Sequence, residues 1–188
     1  MQLDEIRKLD QEETEIKLFS GTESDILANG NLDYPDEVLA DLDLIVASVH
    51  SSLKMDKAKA TKRLITAVEN PFTSILGHPT GRLLLSRPGY PIDTAKVIDA
   101  CAANNVAIEL NANPNRLDMD WRWINYAISK GVLISINPDA HSIAGLDDSQ
   151  YGVDAARKAG LPIAYCLNAM DLDEFEEWLE EQHEKRPT

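Results

Sequence analysis

The chain has 188 residues, 44% of them hydrophobic, and a formal net charge of −14, which suits one soluble domain over 1–188 and is short for two. No apolar run approaches the roughly 20 residues a membrane helix needs, and the acidic N-terminus lacks the basic and apolar regions of a secretory signal. Cys101 and Cys166 have neither a paired spacing nor a secretory context, so they read as buried free thiols of a cytoplasmic protein.

Taken in order, Leu3, Ile6 and Leu9 recur at helical spacing within residues 1–12. Residues 16–19 alternate as a short strand that ends at Ser20-Gly21-Thr22-Glu23. A loop at Asn29-Gly30-Asn31 leads to Pro35 and a short helix through Leu39. Strand 44–49 stops at His50; Thr61, Leu64, Ile65 and Val68 then mark an amphipathic helix closed by Asn70-Pro71. Strand 73–76 ends at Gly77-His78-Pro79. Helix 92–103 precedes strand 106–110, which ends at Asn111. Trp121, Ile124 and Ile128 form the next helix face, Gly131 caps it, and strand 132–136 runs into Asn137-Pro138-Asp139-Ala140-His141. A helix near 151–159 ends at Gly160, and strand 163–166 follows. Asp171 with Glu174 opens a last helix through Leu172, Phe175 and Leu179. Strand and helix thus alternate about six times with short connections. That is the signature of parallel βαβ units, in an open doubly wound sheet or a (β/α) barrel.

His50, His78 and His141 each sit just beyond the C-terminal end of an expected strand, and Glu23 and Asp139 occupy equivalent positions. In a parallel barrel such ends open on one face, where side chains from distant segments converge. Asp139 and His141 can ligate one metal centre or neighbouring ones; the plainer alternative is a helix-capping Asp beside a surface His. Three histidines and two acids at matching positions favour a metal, and imidazole with carboxylate suits Zn²⁺, Mn²⁺ or Fe²⁺. His183, on the charged last helix, reads as solvated. The acidic charge is concentrated in residues 1–43 and 171–188, which leaves 44–170 with a net of +2. A mildly basic centre is compatible with a phosphate-bearing substrate. Lys54, Lys57, Lys59, Lys62 and Arg63 crowd one stretch, either a nucleic-acid contact or, the preferred reading, a solvated helix face. Arg82 and Arg116 are either phosphate clamps or surface ion-pair partners. Asn111, Asn113 and Asn115 either bind substrate or satisfy turns. Glu109, within a strand, points into either the barrel or the site.

The segments Gly21-Thr22-Glu23-Ser24-Asp25-Ile26-Leu27, Ala47-Ser48-Val49-His50-Ser51, Leu76-Gly77-His78-Pro79-Thr80-Gly81-Arg82, Asn111-Ala112-Asn113-Pro114-Asn115-Arg116-Leu117-Asp118 and Asp139-Ala140-His141-Ser142 closely resemble the PHP (polymerase and histidinol phosphatase) domain. The form they resemble most is the one at the C-terminus of bacterial family X DNA polymerases. The resemblance runs from about Lys17 to Tyr151. It implies a distorted seven-stranded (β/α) TIM-like barrel with a trinuclear metal site that hydrolyses phosphoesters, associated in those polymerases with 3′-end processing of DNA as an exonuclease or phosphatase. By the same resemblance Glu23 bridges two metals, His50 and His78 complete the second metal's site, Asp139 ligates the first and His141 the third.

One departure stands out. The family opens with a His-x-His motif, an Asp soon after it and a further His, and no histidine precedes His50 here. The chain therefore reads as the C-terminal portion of such a domain, lacking its first two strands and leaving an unpaired edge at residue 16. The leading expectation is a metal-dependent phosphoesterase acting on DNA 3′ ends. One alternative is a non-catalytic remnant or interaction subunit, completed by an N-terminal partner segment or a second copy. The other is a small-molecule phosphatase of the histidinol-phosphate type.

Overall fold

The computed structural model describes residues 2–13 and 15–187 of the chain. Five parallel strands pair in sequence order: β1 (Gly21–Asp25), β2 (Leu44–Ser48), β3 (Ile75–Leu76), β4 (Ala107–Asn111) and β5 (Ile134–Asn137). The helices are α1 (Gln2–Glu12), α2 (Asp36–Ala40), α3 (Lys57–Val68), α4 (Thr94–Ala103), α5 (Ile124–Ser129), α6 (Ser149–Ala159) and α7 (Leu172–Glu184). The architecture is α/β and consistent with part of a TIM-like barrel. Among the described residues no pairing between β1 and β5 closes it, and no helix is long and apolar enough to cross a membrane.

Strand alternation divides the core in two. Ile45, Ala47, Leu76, Ile108, Leu110, Ile134 and Ile136 pack with Leu64, Val68, Val97, Ile98, Ile124 and Ala156 from α3, α4, α5 and α6. The intervening positions, Leu44, Val46, Ile75, Ala107 and Leu133, meet Phe175, Trp178 and Leu179 of α7. All five residues of β4 are buried, as a central parallel strand covered on both sides should be. On the face toward α7 the strands change character along their length. Val46, Ile75, Ala107 and Leu133 at the near end give way to Ser48, Glu109, Asn111, Ser135 and Asn137 at the C-terminal ends. That polar end needs partners, and it is where the site lies.

Several expected boundaries hold. Asp171 and Glu174 form a reciprocal capping box at the start of α7. Gly160 ends α6 in the left-handed conformation at φ 72°. Two strands differ from expectation. The first lies at Gly21–Asp25 rather than 16–19, because carboxylates occupy the earlier backbone donors. Leu18 N–H donates to Asp10 at 2.8 Å and Ser20 N–H to Asp43. The strand expected at 163–166 is instead two 3₁₀ turns, Ile163–Tyr165 and Leu167–Ala169, with a single parallel bridge from Cys166 to Ile134. The Asn168 amide takes the strand's place. Its Oδ1 accepts the Ile136 N–H at 2.6 Å, and its Nδ2 donates to the Ile136 carbonyl at 2.9 Å.

Candidate metal centre

Glu23, His50 and His78 converge at the C-terminal ends of β1, β2 and β3. Each offers a ligand atom within 4.8 Å of the others. Glu23 lies inside β1 rather than beyond it, in register with Val46, and Asp25 two residues on shares its face. His50 Nε2 is 3.3 Å and His78 Nε2 3.1 Å from Glu23 Oε1, and the two rings stand edge to face with centroids 5.1 Å apart. His78 follows Gly77, where a Cβ would fall 2.1 Å from Ser48 Oγ and 2.9 Å from Val46 Cγ1. Glycine at 77 lets the chain pass close enough to β2 to place the imidazole.

The donor set fits a divalent ion. His78 is 1% exposed, and although Nε2 lies near Glu23, neither of its ring nitrogens makes a directed hydrogen bond among the described residues. A buried imidazole without partners is costly unless something else satisfies it. Ligands about 2.0–2.1 Å from a tetrahedral ion stand roughly 3.4 Å apart, close to the 3.3 and 3.1 Å that separate the two imidazoles from Glu23. The charges complement one another. His50 and His78 beside it hold the Glu23 carboxyl well below the usual range. Glu23, then Asp25, raise His50 to about 9 against the pull of burial. Burial opposes a charged His78, yet Glu23 and Glu109 outweigh it and the Arg116 charge, and its pKa is raised.

Beneath the cluster runs a buried polar network. Glu109, 4% exposed, accepts the His78 backbone N–H at 2.6 Å, Asn137 Nδ2 at 2.9 Å and Asn111 Nδ2 at 3.3 Å. Burial raises its pKa against those hydrogen bonds. Asn111 Nδ2 reaches on to Asp139 Oδ2 at 3.1 Å, and Arg116 Nε meets the same oxygen at 3.0 Å. Asp139 thus joins the centre through Asn111 and Glu109 rather than by entering the cluster. His141, with its side chain 84% exposed, turns Nδ1 to the Asp139 carbonyl at 2.8 Å.

The two arginines differ in what they hold. Arg82 spends its guanidinium on the carbonyls of Arg116 and Leu117 and on Asp120 at 3.2 Å, fixing the loop that carries Arg116. Arg63 is not part of a solvated face: it is 2% exposed and donates to the carbonyls of Ile26, Leu27 and Ser51. His183 Nε2 donates to the Asp43 carbonyl at 2.9 Å, tying α7 to the start of β2. Asp25, whose Oδ1 contacts His50 Nδ1, went unnoticed in the sequence, although its spacing from Glu23 is the strand period. A cavity of about 870 Å³ under α7, lined by Leu133, Ile163 and Trp178, contains none of the cluster residues.

No family model matches the chain. It is 44% identical over 178 residues to the DNA polymerase/3′-5′ exonuclease PolX of Bacillus subtilis, covering 95% of this chain and 31% of PolX. The chain thus spans about a third of that relative's length. It is 30% identical over 180 residues to a probable phosphatase of Thermoanaerobacter sp. (strain X514), covering 90% of this chain and 71% of the relative. A probable phosphatase of Clostridium acetobutylicum is 32% identical over 153 residues, 75% of this chain and 60% of the relative. With so much of the chain and of the Thermoanaerobacter protein aligned, the chain belongs to this phosphatase family and carries a PHP-like domain of phosphoesterase type.

Proposed function

We propose that the chain is a metal-dependent phosphoesterase whose ion is held by Glu23, His50 and His78, and that its substrate is the 3′ end of DNA. The observation that carries the reading is the meeting of these side chains at the ends of three strands, with a buried imidazole that makes no directed hydrogen bond among the described residues. Zn²⁺, Mn²⁺ and Fe²⁺ all accept two imidazoles and a carboxylate. The chemistry such an ion supplies is Lewis-acid polarisation of a phosphoryl oxygen and activation of water near neutral pH. The chain's own groups do the positioning. Arg116, whose side chain pairs with Asp139 among the described residues, has its terminal nitrogens to offer a phosphoryl group. Arg82 keeps the Arg116 loop in place, and Asn111 links Asp139 to Glu109. The further ions implied by the family resemblance are left with Asp139 and His141 besides the bridging Glu23, so no step is assigned to them.

DNA is favoured as substrate because the 44% identical relative is named a DNA polymerase/3′-5′ exonuclease. A small phosphomonoester is the second reading, favoured by the probable phosphatases that align over most of their length. Turnover of a short 3′-recessed DNA duplex against histidinol phosphate, in Mn²⁺ and in EDTA, separates the two. DNA cleavage dependent on Mn²⁺ is the expected result. Hydrolysis of the small ester alone favours the second reading, and equal rates in EDTA remove metal dependence altogether.

A further inference from the structure

We propose that Asp25 is the positioning residue of this centre: its carboxylate holds the His50 Nδ1–H and so turns the Nε2 lone pair toward the point shared with Glu23 and His78. The inference rests on the metal-centre reading above and concerns how this chain prepares one ligand. His50 has two ring nitrogens that can bind an ion. Asp25 Oδ1 lies on Nδ1, and Nε2 faces Glu23 Oε1 at 3.3 Å. A carboxylate only accepts hydrogen bonds, and a neutral imidazole has one N–H. With Asp25 on Nδ1 the proton belongs there, and Nε2 is left as the ligand.

Asp25 is itself held firmly. Its N–H donates to Asp33 Oδ1 at 2.9 Å, and its carbonyl accepts the Asp33 N–H at 3.0 Å. The next residue, Ile26, donates to the Ser48 carbonyl at 2.7 Å, closing β1 onto β2. Buried Arg63 then binds Ile26 and Leu27, just after Asp25, together with Ser51, just after His50. One side chain therefore clamps both loops that carry the pair. Among the described residues His78 Nδ1 has no such partner, so orientation by a carboxylate is specific to His50.

The test uses the full chain loaded with Zn²⁺, with affinity read by competition against a chelating dye and His50 observed by long-range ¹H–¹⁵N NMR. In the wild-type protein His50 is expected to be protonated at Nδ1 and metal-bound at Nε2; the reverse arrangement overturns the proposal without recourse to any variant. Asp25→Ala should weaken Zn²⁺ about 10–100-fold. Asp25→Asn, which keeps an acceptor oxygen, should stay within about fivefold of wild type and retain the Nδ1–H signal. Circular dichroism checks that each variant folds. Wild-type affinity in Asp25→Ala, or equal loss in Asp25→Asn, contradicts the positioning role while leaving the centre intact. A wild-type protein that binds no Zn²⁺ removes both readings.

Discussion

His78 and Glu109 are joined by a hydrogen bond from the backbone of one to the side chain of the other: Glu109 Oε2 accepts the His78 N–H at 2.6 Å. The contact crosses from the end of β3 to the middle of β4, so the residue that supplies the buried imidazole is fixed by the neighbouring strand. Glu109 also takes amide protons from Asn111 and Asn137. Glu109→Ala would leave the His78 N–H and the Asn137 amide without their acceptor, each at a cost of about 1–3 kcal/mol before relaxation, while Asn111 Nδ2 keeps Asp139. The expected outcome is a loss of roughly 2–4 kcal/mol in urea unfolding, together with weaker metal binding because His78 shifts. A change below about 0.5 kcal/mol would show that the network does not hold the strand ends.

The centre also sets a pH dependence whose sign reverses with metal. In the metal-free protein His50 is raised from 6.5 to about 9 by Glu23 and Asp25, and Glu23 is lowered from 4.5. A raised imidazole stabilises the fold below its unfolded pKa, and that contribution is lost as pH rises from 6.5 through 9. A lowered carboxyl stabilises above 4.5, and the contribution is lost as pH falls below that value. Stability from this cluster therefore peaks between about 4.5 and 6.5. Ions bind the unprotonated imidazole, so metal-loaded protein should gain stability from pH 6.5 to 9 while metal-free protein declines. Urea unfolding with excess EDTA or Zn²⁺ across that range checks it. Parallel curves would refute it, and His50→Gln should flatten the metal-free decline.

Gly77 gives a steric test of the same geometry. An alanine Cβ at 77 would lie 2.1 Å from Ser48 Oγ and 2.9 Å from Val46 Cγ1, so those buried side chains must turn or the chain at 77 must shift and carry His78 with it. Gly77→Ala should cost about 1–3 kcal/mol, as overpacking does, and weaken Zn²⁺ binding. Adding Ser48→Ala should recover part of both losses, because the nearest remaining atom is then Val46 Cγ1 at 2.9 Å. Unchanged affinity in the single variant would show that close approach of β3 to β2 does not place the imidazole.

Much of the scaffold was legible because its cues are local. Apolar runs mark β2, β4 and β5, the spacing of Thr61, Leu64, Ile65 and Val68 marks α3, and the Asp171–Glu174 box marks the start of α7. The two misplaced strands turn on side chains that replace backbone partners, Asp10 and Asp43 before β1 and Asn168 beside β5. Nothing in a strand's own pattern announces such a partner. In the site, His50 and His78 were visible as histidines at strand ends, which parallel topology brings together, whereas His141, marked by the same cue, stays outside the cluster. Glu109 was ambiguous because a central parallel strand is buried on both faces and gives no in–out alternation. Arg63 was hidden among lysines, and its partners are carbonyls, which carry no sequence signal. Asp25 was within reach: a second acid two residues after Glu23 in a strand faces the same way.

The most direct measurement is the metal content of the purified chain after Zn²⁺ loading and desalting, by elemental analysis. The account predicts at least about one ion per wild-type chain, as one set of three ligands can hold, a clear loss from Glu23→Ala, His50→Ala and His78→Ala, and full retention in His183→Ala. A wild-type chain with no bound ion, or folded variants of Glu23, His50 and His78 that keep it, would contradict the account.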